Sequence, residues 1–304
     1  MATISIEPDL ASQVTTTVVS ATVDSKTVKV EPAVSNVDVA ARRRGVVDAR
    51  LHRWSHQAAV PFLLLLLGGM FLAVRLLEPA HAWVAVLVCL ALFLGAAGKI
   101  SGGRMVSALI DERNLMSLSR TQAVVWTMLI LSGYFVMALV RMKHGEAAPL
   151  NVAIDSKLWI LMGISVTSLI GTPFLLSDKR KKDPADQAID KASAALKEPP
   201  AQIDADRQGT LYANASAADA RLTDLFQGEE VGNTAYIELS KIQMFLFTLI
   251  AAAVFASQLW NQFANVTTAD LSHMPQLPEG LIALLGISHA GYLGNKSVDH
   301  TPVQ

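Results

Sequence analysis

The side chains able to do chemistry in this chain are few, and most stand in apolar surroundings. His289 is the one ionisable residue clearly inside a hydrophobic run, directly after Gly286-Ile287-Ser288, and the triplet recurs as Gly163-Ile164-Ser165. An ionisable group in hydrocarbon is costly and therefore a functional flag, so His289, Ser165 and Ser288 form the first candidate group. Thr127 and Thr248, again at matching positions, complete a set of hydroxyls that could line a polar path. The competing reading is packing: small residues let helices approach closely, and a histidine on a packed face serves as hydrogen-bonded structure. No acidic residue lies in the middle of an apolar run, which argues against a carboxylate proton relay. The phosphate-loop, His-Glu-x-x-His and clustered Cys/His patterns are all missing, so no cofactor and no metal are expected. The single cysteine, Cys89, has no intrachain partner and reads as a small hydrophobe.

The elements that must position these groups are membrane spans. Hydrophobic residues make up 52% of the chain and charged residues 17%, against about 25% charge in a soluble domain. The charge that remains is confined to loops, leaving uncharged windows near the ~20 residues a bilayer demands. Six windows qualify, at Ala58–Leu77, Ala82–Gly98, Thr121–Val140, Leu158–Leu176, Gln243–Trp260 and Gly280–Gly294, the last being the shortest. Lys and Arg favour one side: Arg42–Arg44, Arg50 and Arg53 before the first span, Lys99, Arg104, Arg113 and Arg120 after the second, Lys179–Lys182 after the fourth, and Lys296. The other side has Arg141, Lys143 and Lys157, and none between Asn261 and Pro278. The positive-inside rule then places both termini in the cytoplasm. Residues 1–53 read as a disordered cytosolic tail without a signal-peptide pattern. A net charge of -1 offers no basic field for nucleic acid.

Two pairs of spans read as an internal duplication. Leu118-Ser119-Arg120-Thr121-Gln122 matches Leu239-Ser240-Lys241-Ile242-Gln243, an offset of 121, and Leu158–Ser165 matches Leu281–Ser288, an offset of 123. The expected fold is thus an all-α integral membrane protein: a hairpin (54–98), a connector (99–116), repeat 1 (117–177), a polar loop (178–237), repeat 2 (238–297) and a short tail (298–304). Copies inserted in the same orientation predict a pseudo-two-fold axis along the membrane normal. Ser119 with Gln122, and Ser240 with Gln243, each fit a capping box, while Arg120 and Lys241 would anchor at the headgroups. A binding role for this face is the other reading.

The polar loop is the one sizeable insertion. It holds an amphipathic segment presenting Leu222, Leu225 and Phe226, then the acidic, turn-rich Gly228-Glu229-Glu230-Val231-Gly232-Asn233. It reads as a solvated linker or as a docking element, over residues 184–230, for a cytosolic protein. Asn265-Val266-Thr267 matches a glycosylation sequon, a pattern common by chance. Gly163-Ile164-Ser165 with His289 resembles the serine–histidine dyad of rhomboid intramembrane proteases, and the likeness implies Ser165 as nucleophile and His289 as base. The two lie at compatible depths, roughly 10 and 14 Å from the outer face. The sequence departs from that family in having Val166 for the second motif glycine and no histidine or asparagine inside the second span. Three readings follow in order: a non-enzymatic anchor, scaffold or sensor presenting cytosolic segments; a homo-oligomeric pore for water or small solutes; and a rhomboid-like protease. Short loops and Ala-rich composition point to a bacterial inner membrane.

Overall fold

A computed structural model describes residues 56–266 and 271–304, with backbone only for 56–59. The expected tail at 1–53, with its arginines, and Thr267 of the sequon lie outside the described residues. Six long helices carry the architecture: α1 His56–Leu76, α2 Pro79–Gly102, α3 Leu118–Lys143, α4 Ser156–Ser177, then, after two short helices α5 Asp186–Leu196 and α6 Pro200–Asp206, α7 Leu239–Ala264 and α8 Glu279–Ser297. Among the described residues there are no strands, only isolated bridges. Four helices, beginning at Pro79, Leu118, Ser156 and Leu239, are long and apolar enough to cross a membrane.

Local chemistry sets the helix ends. Pro79 starts α2, where its missing N–H costs nothing, and Gly103, at φ 78°, closes it with an N–H bond to the Lys99 carbonyl. Ser117 caps α3 by accepting from the Arg120 N–H, and Asp155 caps α4 by accepting from the Lys157 N–H. This corrects the capping-box expectation. Ser119 and Gln122 are buried inside the first turns of α3, and the N-cap of α7 is Glu238, which makes no side-chain cap bond.

α1 pairs with α2, and α2 lies against α3 and α7. The Trp83 indole N–H donates to Ser132 Oγ at 3.0 Å, tying α2 to α3 through a bond that burial strengthens. α3 packs on α4 and α7, and α8 packs on α4 and α7. Gly133 is one reason α3 and α7 come close: a Cβ there would stand 3.0 Å from Leu259 Cδ2. The bonds across these seams join residues 121, 122, 124 and 126 positions apart, close to the offsets of the sequence matches. The two hairpins therefore lie side by side in the same sense and nearly in register. α3 faces α7 and α4 faces α8 along these seams.

Arg141 clamps the hairpin tips. Buried at the end of α3, it donates to the carbonyls of Asn151 (3.0 Å), Ala148 (3.2 Å) and Leu271 (3.4 Å) and pairs with Glu146 at 2.6 Å. The two tips also meet directly, the Ala153 N–H donating to the Ser272 carbonyl at 2.7 Å. Arg141→Met removes the donor shared by both tips and leaves buried carbonyls unpaired, a cost of about 3 kcal/mol. The expected outcome is a lower melting midpoint in mild detergent and faster proteolysis within residues 144–155. An unchanged midpoint and cleavage rate would show that the tips hold without it.

Candidate functional site

At the opposite end from the tips, the segments 104–117, 178–238 and 298–304 fold together into a cap on the bundle. Its own core gathers Leu115, Ile189, Ala192, Ile203, Tyr212 and Val231. A second cluster (Ile110, Met116, Leu118, Leu225, Met244 and Tyr292 among it) joins the cap to the helices. The Asn114 and Asn214 side-chain amides each donate to the other's backbone carbonyl, at 2.8 and 3.0 Å, and hold the 111–114 turn to the insertion. Asn114 there adopts φ 59°, a left-handed conformation that asparagine tolerates. Gly209, at φ +65°, is required by space as well, since a Cβ would collide with the Lys179–Arg180 backbone.

Where cap and bundle meet, Glu229 is the centre. Its carboxylate lies 2.6 Å from Lys296 Nζ at the end of α8, 3.1 Å from Lys241 Nζ in the first turn of α7 and 3.2 Å from Arg113 Nη2. Arg113 is fixed in turn by Asp111 at 2.7 Å and donates to the Glu229 carbonyl at 3.2 Å. Glu230 does the same work next door. It accepts from Lys179 Nζ, beyond α4, at 2.5 Å and from the N–H groups of His300 and Thr301 at 3.0 and 2.9 Å. Adjacent carboxylates thus collect the ends of α4 and α8, the start of α7, the loop after α2 and the chain's last residues. Burial works against ionising Glu229, but Lys241, Lys296 and Arg113 together overcome it and hold the carboxyl well below the ordinary glutamate range. Burial alone pushes the other way at Asp224, raising its carboxyl despite bonds from the Arg221 and Met116 N–H groups.

Further into the bundle, a ladder of polar pairs follows the seams. Ser119 Oγ and Tyr292 Oη are 3.2 Å apart, and Gln122 Nε2 donates to Thr248 Oγ1 at 2.5 Å. Lys296 Nζ also reaches Thr172 Oγ1 at 3.3 Å, and Ser168 Oγ meets His289 Nδ1 at 2.6 Å. The hydroxyls of Ser165 and Ser288 and His289 Nε2 are buried without a partner among the described residues.

Several sequence candidates take new roles here. The partner of His289 is Ser168, which the sequence reading passed over, rather than Ser165. Ser165 and Ser288 are both buried, whereas Thr127 is exposed and Thr248 is engaged by Gln122, so the four hydroxyls share no single lumen within one chain. Lys241 is 3% exposed and ion-paired, which corrects its assignment as a headgroup anchor. Arg120 is half-buried, Ser240 donates to Glu238 Oε1 at 2.7 Å, and Gln243 is exposed. Of the docking trio only Leu222 faces outward. Leu225 is buried in the junction with Met244 and Tyr292, and Phe226 packs edge-on to Phe245 with ring centroids 5.1 Å apart. Among the described residues no group of three or more His, Cys, Asp or Glu could hold a metal. The void beside Arg113, Tyr212, Asp224 and Lys241 is water-sized.

No family model matches the chain, and neither the curated proteins nor the solved structures contain a match.

A native carboxyl held low contributes stability above the ordinary glutamate range and loses it as pH falls through the lowered value. Cap stability is therefore expected to hold down through the usual carboxylate range and to fall only in stronger acid. Glu229→Gln leaves three buried cations around a neutral amide, costing about 3–5 kcal/mol at neutral pH, and removes that acid step. Melting midpoints across pH, for wild type, Glu229→Gln and Glu229→Gln/Lys296→Gln, test both points. Purely additive effects of the two substitutions would show that the pair is not coupled.

Proposed function

We propose that the chain is a non-enzymatic integral membrane anchor whose cap offers a rigid cytosolic surface to a protein partner. The observation that carries this reading is the cap itself: the polar insertion is folded and bound to the helix ends through Glu229 and Glu230, so its surface is held at fixed orientation to the bilayer. Six spans suit the helix lengths. α1 has 21 residues and α8 has 19, which at 1.5 Å per residue reach about 31 and 28 Å, close to the hydrocarbon thickness. The basic loops on the cap side, read with the positive-inside rule, support a cytosolic cap and termini, in what we take to be a bacterial inner membrane. The hairpins α3–α4 and α7–α8 are read as two copies of one unit, supported by their register.

Replacing residues 184–230 wholesale would remove Glu229 and Glu230 and unseat the cap, so a surface change is the better test. Leu222 is 69% exposed on the short turn Leu222–Leu225. A photo-crosslinker at position 222 in cells is expected to yield one protein adduct. Leu222→Asp, with an unchanged melting midpoint, is expected to reduce that partner's retention at least about ten-fold, the loss of ~1.4 kcal/mol of apolar contact. No adduct at 222, or full retention by Leu222→Asp, would sink the docking reading.

The unpartnered Ser165, Ser288 and His289 Nε2 atoms favour a second reading, a polar path opened along the α4–α8 seam in a homo-oligomer. Ser165→Leu with Ser288→Leu is then expected to abolish water or solute flux in proteoliposomes without loss of folded protein. Equal flux would remove these serines as lining.

A further inference from the structure

A cleft of about 330 Å³ opens between the cap-side ends of α1 and α2, where the chain turns out of α2. Its walls are apolar, formed by Phe62, Leu92 and Ala96, and its rim carries Lys99, Arg104 and Met105. Among the described residues no carboxylate pairs with Lys99. Arg104 is held in place through one nitrogen, Nη1, which donates to the carbonyls of Ala217 (2.5 Å), Ala218 (3.2 Å) and Ala220 (3.2 Å). Its Nε and Nη2 have no partner among the described residues. The cap thus orients a guanidinium at the mouth of an apolar cleft without neutralising it.

Depth identifies the occupant. Twenty residues separate Pro79 from Lys99 along α2, a rise of about 30 Å, which is the thickness of the hydrocarbon core. With the Pro79 end at one boundary, Lys99 lies at the other, level with the phosphates, and the cleft below it opens toward the acyl chains. A water-soluble anion would gain nothing from Phe62, Leu92 and Ala96, and a zwitterionic lipid would bring its own cation to a rim that already holds two, so only a lipid with net negative charge gains from both.

We propose that this cleft is a binding site for an anionic glycerophospholipid. The phosphodiester accepts from the Lys99 ammonium and the free donors of Arg104, and one acyl chain lies along Phe62, Leu92 and Ala96. Because Arg104 also grips the 217–220 turn, the bound headgroup touches the hinge between hairpin and cap, and lipid charge is coupled to how the cap sits. The proposal rests on the membrane reading above. The two fail separately, since an alkaline carbonate wash that released the chain from membranes would overturn the membrane reading itself.

The test is native mass spectrometry of the full chain from nanodiscs of equal parts phosphatidylglycerol and phosphatidylcholine. Wild type is expected to retain one phosphatidylglycerol in preference to phosphatidylcholine. Lys99→Gln, which touches no cap contact, is expected to reduce that preference about five-fold, the effect of one basic residue near an anionic surface. Leu92→Trp, which fills the cleft from a wall position that is 40% exposed, is expected to lower retention of either lipid while keeping the melting midpoint. Equal retention of both lipids by wild type, an unaltered preference in Lys99→Gln, or competition by millimolar inorganic phosphate would each overturn the proposal.

Discussion

One carboxylate with three cations, all out of water, is the constraint on which the rest of this structure depends. Lys241, Lys296 and Arg113 come from three separate stretches of chain, and each is almost fully buried around Glu229. An ion pair in such surroundings is no great source of stability, because desolvation consumes most of the attraction. Its effect is on uniqueness. Any packing that displaced one partner would strand another charge, at a cost far above that of a shifted hydrophobic contact. The start of α7, the end of α8 and the 111–113 turn must therefore arrive together. Glu230 extends the same condition to Lys179 and the 298–301 segment. A cap of modest apolar core can be held rigidly this way because its errors are expensive.

The far end of the bundle solves a related problem with one residue. Arg141 satisfies carbonyls from both tips and holds them level, as the Glu229 cluster holds the opposite ends level. With both ends in register, the seams between have little freedom to slip, and the polar pairs Gln122–Thr248 and Ser168–His289 fall opposite each other. In hydrocarbon, where water offers no alternative partner, a slip by one turn would leave each of these groups unpaired. Ion cluster, tip clamp and seam pairs together impose one register on the four helices.

What could be read in the sequence follows from which signals are local. The apolar windows are a property of composition, and five of the six lie wholly inside longer helices, as Thr121–Val140 does within Leu118–Lys143, because polar end-turns continue the backbone bonds past the apolar stretch; the first, Ala58–Leu77, outruns its helix by one residue. The capping-box reading failed for a definite reason: Ser119-x-x-Gln122 has the right spacing, but the preceding Ser117 takes the cap, which turns Ser119 and Gln122 inward toward Tyr292 and Thr248. The acidic, turn-rich 228–233 stretch was visible, yet its role was not, since nothing local says that Glu229 faces Lys241 and Lys296 rather than water. Leu225 shows the same limit from the apolar side. The amphipathic pattern is real, but its face turns to α7 and α8 instead of a partner. Ser168 escaped notice because it lies outside the repeated triplet.

The matching motifs of α3 and α7 matter most where their roles differ. Arg120 and Lys241 occupy matching positions, but the first is half-buried and the second is a member of the ion cluster. Gln122 faces inward to bond Thr248 on α7, while Gln243 is exposed. Their surroundings explain the difference: α3 packs on α2, α4 and α7, whereas α7 packs on α2, α3 and α8, so matching residues meet different neighbours. On α7 Lys241 binds Glu229 and so belongs to the clamp on the inserted cap. On α3 Thr127 is left on the outer surface, as Gln243 is on α7, so on both helices part of the matching motif faces outward rather than into the seam.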